Sequence, residues 1–282
     1  HKAGIPTVPT EGLDVAELLL DRRRILRLIY DTAPDKPGHH HAYHALTAGF
    51  VVADLVEKVT GRPFRSYFRD EISGPLGLDS IDFGARGPML RRVARNYVTG
   101  FRYDGLVDRY LHRAIGTTLA HATELSNDPR FYRAVIPAGN GFATADDAGA
   151  FFQCLLDGGR LGRKRVFQPL TVRRAITEVG KPEIDRSLLL PLRYSAGMML
   201  GTSPFGLYGP ATAQAFGHLG FATNLLWADP ERDVSVALLT TGKVVLGTHV
   251  PALLGFLTAV SKHCTPLSTV EQDVRLDAIG MR

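Results

Sequence analysis

The sequence predicts an α+β fold, with helices through the first part of the chain and an antiparallel sheet near its end. Three observations carry this expectation. Apolar residues recur at helical spacing in several segments before residue 180. After residue 190, "LRYSAGMML", "AFGHLGFATNLLWAD" and "DVSVALLTTG" are strand-like, and the turn sequence "DPERD" joins the last two. The leucine-rich stretch 250–260 then closes the chain as a helix. Helices segregated from antiparallel strands define the α+β class.

The elements follow in order. Val15, Leu18, Leu19, Leu26 and Ile29 share one helical face within 14–30, and "DTAPDKPG" breaks that helix. Thr47 or a neighbour starts a second helix running through Val59, apolar nearly all round and so expected to be buried. Phe64, Tyr67, Phe68 and Ile72 make "GRPFRSYFRDEI" amphipathic, and "GPLGLD" ends it. Residues 80–140 read as irregular, with few strand signals. In "TADDAGAFFQCLLDGG" (144–159), Thr144 and Asp147 stand at capping-box spacing and a glycine pair stops the helix. "QPLTVRRAIT" reads as another helix, with Pro169 near its start. The expected organisation is a single domain over 1–282. A helical lobe spans about 75–185, and a sheet-plus-helix lobe is built from 1–74 and 186–282.

Composition narrows the function. The 282 residues are 45% hydrophobic, enough for a substantial core. The net charge of +5 resides partly in "DRRRILR" and "LRRVAR", where interleaved apolar residues make the arginines a solvated helix face. No nucleic-acid motif accompanies them, so no nucleic-acid partner is expected. The longest apolar run, 244–260, is interrupted by His249, Pro251 and glycines, and no membrane span is expected. Cys154 and Cys264 give neither a disulfide framework nor a metal spacing, and Cys154 sits in an apolar pattern as a core residue. This low cysteine use is compatible with the cytoplasm. There is no G-x-S-x-G, no H-E-x-x-H and no G-x-G-x-x-G.

The richest stretch is "PGHHHAYHALTAGFVV" (37–52). His39, His40, His41 and His44 suggest a metal, but neighbours in a Pro-Gly-bounded loop cannot all converge on one ion. No metal is expected. Asp146 and Asp147 stand in the first turn of a helix, where carboxylates favour the positive end of the dipole. Trp227 lies on the strand pair as packing.

Four segments, in order, resemble the serine β-lactamase and penicillin-binding-protein superfamily, closest to its esterase branch, the family VIII carboxylesterases. "HKAGIP" resembles an H-x-x-G-[LI]-P segment. "YHALTAGFVVADLVEKVTGRPFRSYFRDEISGPLGLD" resembles the Tyr-x-Asn/Ala loop and the helices after it. "PAGNGFATADDAGAFF" and "FGHLGFATNLLWADPERDVSVALLTTG" resemble a helix start and the strand carrying the Lys-Thr-Gly equivalent. The resemblance implies a β-lactamase-like fold and ester hydrolysis through an acyl-enzyme, with a small-molecule ester substrate and no cofactor. It assigns Tyr43 and His218 as catalytic residues. Gly220 gives substrate access to the strand, and the N–H of Phe221 is an oxyanion donor. His44 and Ala45 stand behind Tyr43.

The nucleophile of that family is the serine of Ser-x-x-Lys, and no serine here has lysine three positions on. Thr240 and Lys243 have the spacing but stand at a strand end, which reads as coincidence. The sequence is therefore expected to be N-terminally truncated, without the family's first helix and strands, and inactive by itself. A tyrosine phenol has a pKa of about 10, so Tyr43 serves as a base only where cations stabilise its phenolate. Ala45 in place of Asn, and His218 in place of Lys, favour neutral esters over β-lactams. A non-catalytic binding protein of this fold is the alternative. A D-Ala-D-Ala peptidase or β-lactamase is the third possibility.

Overall fold

The computed structural model describes every residue except 11, 102–104, 106–111, 113–115, 246 and 280–282. Asp21 divides the first expected helix into α1 (Val15–Leu20) and α2 (Arg22–Asp31), because its carboxylate accepts a 3.0 Å hydrogen bond from Arg24 N. The apolar spacing runs across this cap, so sequence periodicity shows one helix. Leu18, Leu19, Ile25, Leu26 and Ile29 pack with Ile136 and with Phe50 of α3 (Thr47–Thr60). α3 ends at Gly61, whose φ of 66° is the left-handed cap that glycine adopts without strain. Contrary to expectation, α3 is not buried all round. Phe50 and Ala53 face inward, while Val52, Leu55 and Val59 are 56%, 59% and 76% exposed. α4 (Phe64–Phe68) continues through a wider π turn at Arg69–Ser73 to Leu76.

Between these helices and the sheet lie α5 (Leu119–Ser126), α6 (Pro129–Arg133), α7 (Ala145–Leu156) and α8 (Pro169–Ile176). Only half of the expected capping box forms at α7. Thr144 accepts from Asp147 N at 3.3 Å, but the Asp147 carboxylate takes Ser80 N and Oγ at 2.7 and 2.6 Å. That bond ties the irregular middle of the chain to the helix.

The sheet contains β1 (Glu183–Ile184), β2 (Pro191–Tyr194), β3 (Met199–Leu200), β4 (Phe216–Gly220), β5 (Asn224–Asp229) and β6 (Val234–Leu238). They pair antiparallel in the order β6-β5-β4-β3-β2-β1. The residues of β5 alternate between two cores. Ala228 joins Phe152, Leu155 and Leu156 of α7 and Val172 and Ile176 of α8 on one face. Leu225 and Trp227 join Tyr208 and Leu257 on the other, where α9 (His249–His263) lies. α7 and α8 belong to the core of the sheet, and α1–α3 gather around Ile136.

After β6, the short β7 (Gly242–Lys243) runs parallel to Tyr97–Val98. A further helix, α10 (Thr269–Ala278), follows α9 and carries a complete capping box between Ser268 and Glu271. Among the described residues no helix is long and apolar enough to cross a membrane.

Candidate active site

The histidine-rich loop is held from two sides. On one side, residues 1–5 run along it. Ala42 N donates to His1 O at 2.9 Å, Gly38 N to Lys2 O at 2.7 Å, and Thr47 Oγ1 to Ile5 O at 2.8 Å. His44 completes this strap. Its Nε2 accepts from Ile5 N at 3.1 Å, which places its proton on Nδ1, facing Ala42 O at 2.5 Å. Both ring nitrogens are thereby satisfied in the neutral form, and burial lowers the pKa. Ala45, half-buried, follows as the chain turns into α3.

On the other side, the hairpin β1–β2 grips the loop. His41 N donates to Glu183 at 2.6 Å, Arg186 N to His41 O at 2.9 Å, and Tyr43 N to Asp185 Oδ1 at 3.2 Å. Asp185 is fully buried. It also accepts from Ser187 N and Leu188 N at 2.8 Å each and from the Tyr194 hydroxyl at 3.0 Å. Four donors converging on one carboxylate fix both the hairpin and the loop.

This clamp brings Tyr43 against His218 of β4, with ring centroids 5.7 Å apart and planes at 40°. The His1 ring packs edge-on against both Tyr43 and Tyr194, at 4.9 and 4.8 Å. Burial, reinforced by the Asp185 charge, pushes the Tyr43 phenol up to about 12. The sequence required a cation here; the charged neighbour that acts on Tyr43 is instead a carboxylate, so the phenol keeps its proton at neutral pH. Burial lowers the pKa of His218. Its Nδ1 lies 2.7 Å from Leu219 O, and a carbonyl only accepts, so the proton sits on Nδ1. Nε2 is left as a lone-pair acceptor.

His218 stands two residues before Gly220, where the turn between β4 and β5 begins. A Cβ built on Gly220 would meet only Asn224 Cβ, at 3.9 Å, so packing within the protein does not demand glycine there. Gly217 is the opposite: a Cβ would come within 2.0 Å of Leu226 O. Phe221 and Ala222 follow with φ of 39° and 67°, left-handed values that are strained for side chains with a Cβ.

The Thr240–Lys243 pair does not form a nucleophile and base. The Thr240 hydroxyl donates to Thr223 Oγ1 at 2.6 Å, and Lys243 Nζ donates to the Thr240 carbonyl at 2.6 Å. Cys154 is fully buried, and burial pushes its thiol up to about 11, leaving it inert. Among the described residues no group of three or more His, Cys, Asp or Glu is arranged to hold a metal ion. Asp185 was invisible to sequence reasoning, since its partner Tyr43 lies 142 positions away.

The six-stranded antiparallel sheet with helices on its faces is a β-lactamase-like fold. The profile of the family described as Beta-lactamase matches residues 1–252, and the chain belongs to that family. It is 30% identical over 264 residues to the esterase/β-lactamase LipL of Mycobacterium tuberculosis, covering 85% of this chain and 56% of that protein. It is 25% identical over 248 residues to a putative D-alanyl-D-alanine carboxypeptidase of Escherichia coli O157:H7, covering 85% and 55%. The chain therefore spans about half the length of these curated relatives. A solved family VIII carboxylesterase superposes with a TM-score of 0.77 at 21% identity, covering 94% of this chain and 69% of that one. A penicillin-binding-protein homologue from Caulobacter crescentus gives 0.76 at 23%, with the same coverage. At these identities the superpositions establish the fold.

Proposed function

We propose that this chain is the larger part of a serine hydrolase that cleaves carboxylic esters through an acyl-enzyme. The observation that carries the reading is the approach of Tyr43 to His218, 5.7 Å between ring centroids, two residues before Gly220 on β4. The likeness to LipL, whose name includes esterase activity, supports it. So do the losses of Asn and Lys at Ala45 and His218, which remove partners for an amide and a carboxylate.

In this reading the serine and lysine of Ser-x-x-Lys lie outside the 282 residues. The serine oxygen attacks the ester carbonyl, and the alcohol leaves with the proton that the serine gives up. Water then releases the acid. Tyr43 and His218 handle those protons. The N–H of Phe221 is one of two donors to the oxyanion. The lysine would supply the cation that Tyr43 lacks here. By itself the chain is proposed to have little or no esterase activity.

The test compares the 282-residue chain with the same chain joined to the segment that precedes it in its natural protein. The longer form is expected to hydrolyse p-nitrophenyl butyrate and to take one fluorophosphonate adduct, and the shorter form to do neither. An adduct on the 282-residue chain, or none on either, overturns the proposal.

A further inference from the structure

Lys243 is a buried, hydrogen-bonded ammonium beside a strained turn, and the mechanism above gives it no task. Its side chain is 1% exposed, and no ion pair joins it to any of the described residues. Taking an ammonium out of water without a carboxylate is unfavourable. A methionine would fill similar space without that penalty. What the ammonium has instead is a set of polar contacts on one target. Nζ donates to Asn224 Oδ1 at 3.2 Å and to the Thr240 carbonyl at 2.6 Å, and lies 5.1 Å from the centroid of the Phe221 ring.

Those contacts belong to a closed network around the β4–β5 turn. Asn224 Oδ1 also accepts from Thr240 N at 2.9 Å. The Thr240 hydroxyl donates to Thr223 Oγ1, whose own hydroxyl donates to Gly242 O at 2.9 Å. Thr240 and Gly242 hold Thr223, directly after Ala222, and Lys243 reaches Asn224 and the Phe221 ring. Two consecutive left-handed residues with side chains persist only where the surroundings over-determine them. Asn-Gly is the sequence that favours such a turn, and here it is Phe-Ala.

We propose that Lys243 is a positioning residue for the oxyanion turn: through Asn224, Thr240 and the Phe221 ring it holds the Phe221 backbone N–H where a developing oxyanion needs it. The proposal rests on the reading of Phe221 as an oxyanion donor. Its geometric part, that Lys243 sets the conformation of this turn, stands without it. Lys243 is not itself a base or nucleophile, because its nitrogen is enclosed and turned to a carbonyl.

Protonation adds a signature. Burial lowers Lys243 to about 8, so its charge is lost within an accessible pH range. The other titratable groups on the elements packed around it are His218 on β4, Asp229 at the far end of β5, Tyr97 beside β7, and His249 at the start of α9. Asp229 is paired with Arg232 at 2.7 Å. His218 is already neutral at pH 7, as its pKa is lowered from 6.5.

The test follows the Phe221 amide by NMR in the 282-residue chain, in wild type, Lys243→Met and Lys243→Met/Ala222→Gly. In wild type its chemical shift is expected to move with a midpoint near that of the Lys243 Nζ signal. In Lys243→Met the inflection should vanish and amide exchange accelerate at least tenfold. Glycine at 222 should restore part of the protection by relieving the left-handed strain. An inflection that persists in Lys243→Met, or exchange unchanged within twofold, overturns the proposal. If Lys243→Met fails to fold, Asn224→Ala, which removes the side-chain oxygen that accepts from Lys243 Nζ, should accelerate the same amide, and its failure to do so overturns the proposal. In the longer form, Lys243→Met should lower kcat for p-nitrophenyl butyrate at least tenfold with KM within twofold. An unaltered kcat rejects the catalytic half of the proposal. A longer form with no esterase activity rejects the function, while the amide readout still decides the role of Lys243.

Discussion

Tyr43 and His218 meet at 5.7 Å between ring centroids, and neither ring carries a charge at neutral pH. The phenol keeps its proton, and on His218 the hydrogen bond of Nδ1 to Leu219 O leaves Nε2 as the acceptor. Selective 13C labelling of tyrosine should show Tyr43 titrating near 12, about two units above an ordinary phenol. Asp185→Asn removes the negative charge that contributes to this, so the titration should move down. A Tyr43 signal that ionises near 10 in the wild type contradicts the structure.

Asp185 is worth more to the fold than any exposed ion pair. It satisfies Tyr43 N, Ser187 N, Leu188 N and the Tyr194 hydroxyl from a fully buried position. Asp185→Ala strands these donors and is expected to destabilise by about 3–5 kcal/mol in urea denaturation. Asp185→Asn keeps an acceptor and should cost less. Equal stability of the alanine variant and wild type would refute the clamp.

Gly217 and Gly220, three positions apart on β4, should respond oppositely to alanine. At Gly217 the new methyl would strike Leu226 O and Trp227 Cα, at 2.0 and 2.6 Å, and force β4 from β5. A loss of roughly 3 kcal/mol or more is expected, in line with overpacking and strain. At Gly220 it meets only Asn224 Cβ at 3.9 Å, so stability should stay within about 0.5 kcal/mol. The longer form carrying Gly220→Ala should nonetheless bind ester less well. Thermal melts and KM separate the two effects.

Lys243 gives the fold a pH dependence of definite sign. Its pKa is about 8 in the folded chain against 10.5 in the unfolded one, so between these values the unfolded state binds more protons. Stability therefore rises with pH through this window. Relative to Lys243→Met, the wild type should gain on the order of 2–3 kcal/mol between pH 8 and 10. Denaturation of both at several pH values checks this, and parallel curves would show that the lysine is not held as described.

The parts of the fold that were legible in the sequence are those with local signatures. Thr144 and the pair Gly158–Gly159 bound α7, and "DPERD" joins β5 to β6 as a tight turn. The missed parts have causes of two kinds. β1 is two residues long, too short to show an alternating period, and it lies outside the strand-like stretches. α10 did carry a signal, Ser268 three before Glu271, which the apolar pattern of α9 overshadowed. At the site, the family resemblance singled out Tyr43, His218 and Phe221, whose residue types alone would not have done so, while Asp185 and Lys243 make contacts that no spacing reveals. The protonation of Tyr43 could not be read at all, because it depends on which charge the fold brings near.

The strap formed by residues 1–5 has a practical corollary. His1 is no dangling end: its carbonyl, ring and Nδ1 all engage the loop, the last accepting from His44 N at 3.1 Å. A substitution at His1 therefore acts directly on the segment carrying Tyr43.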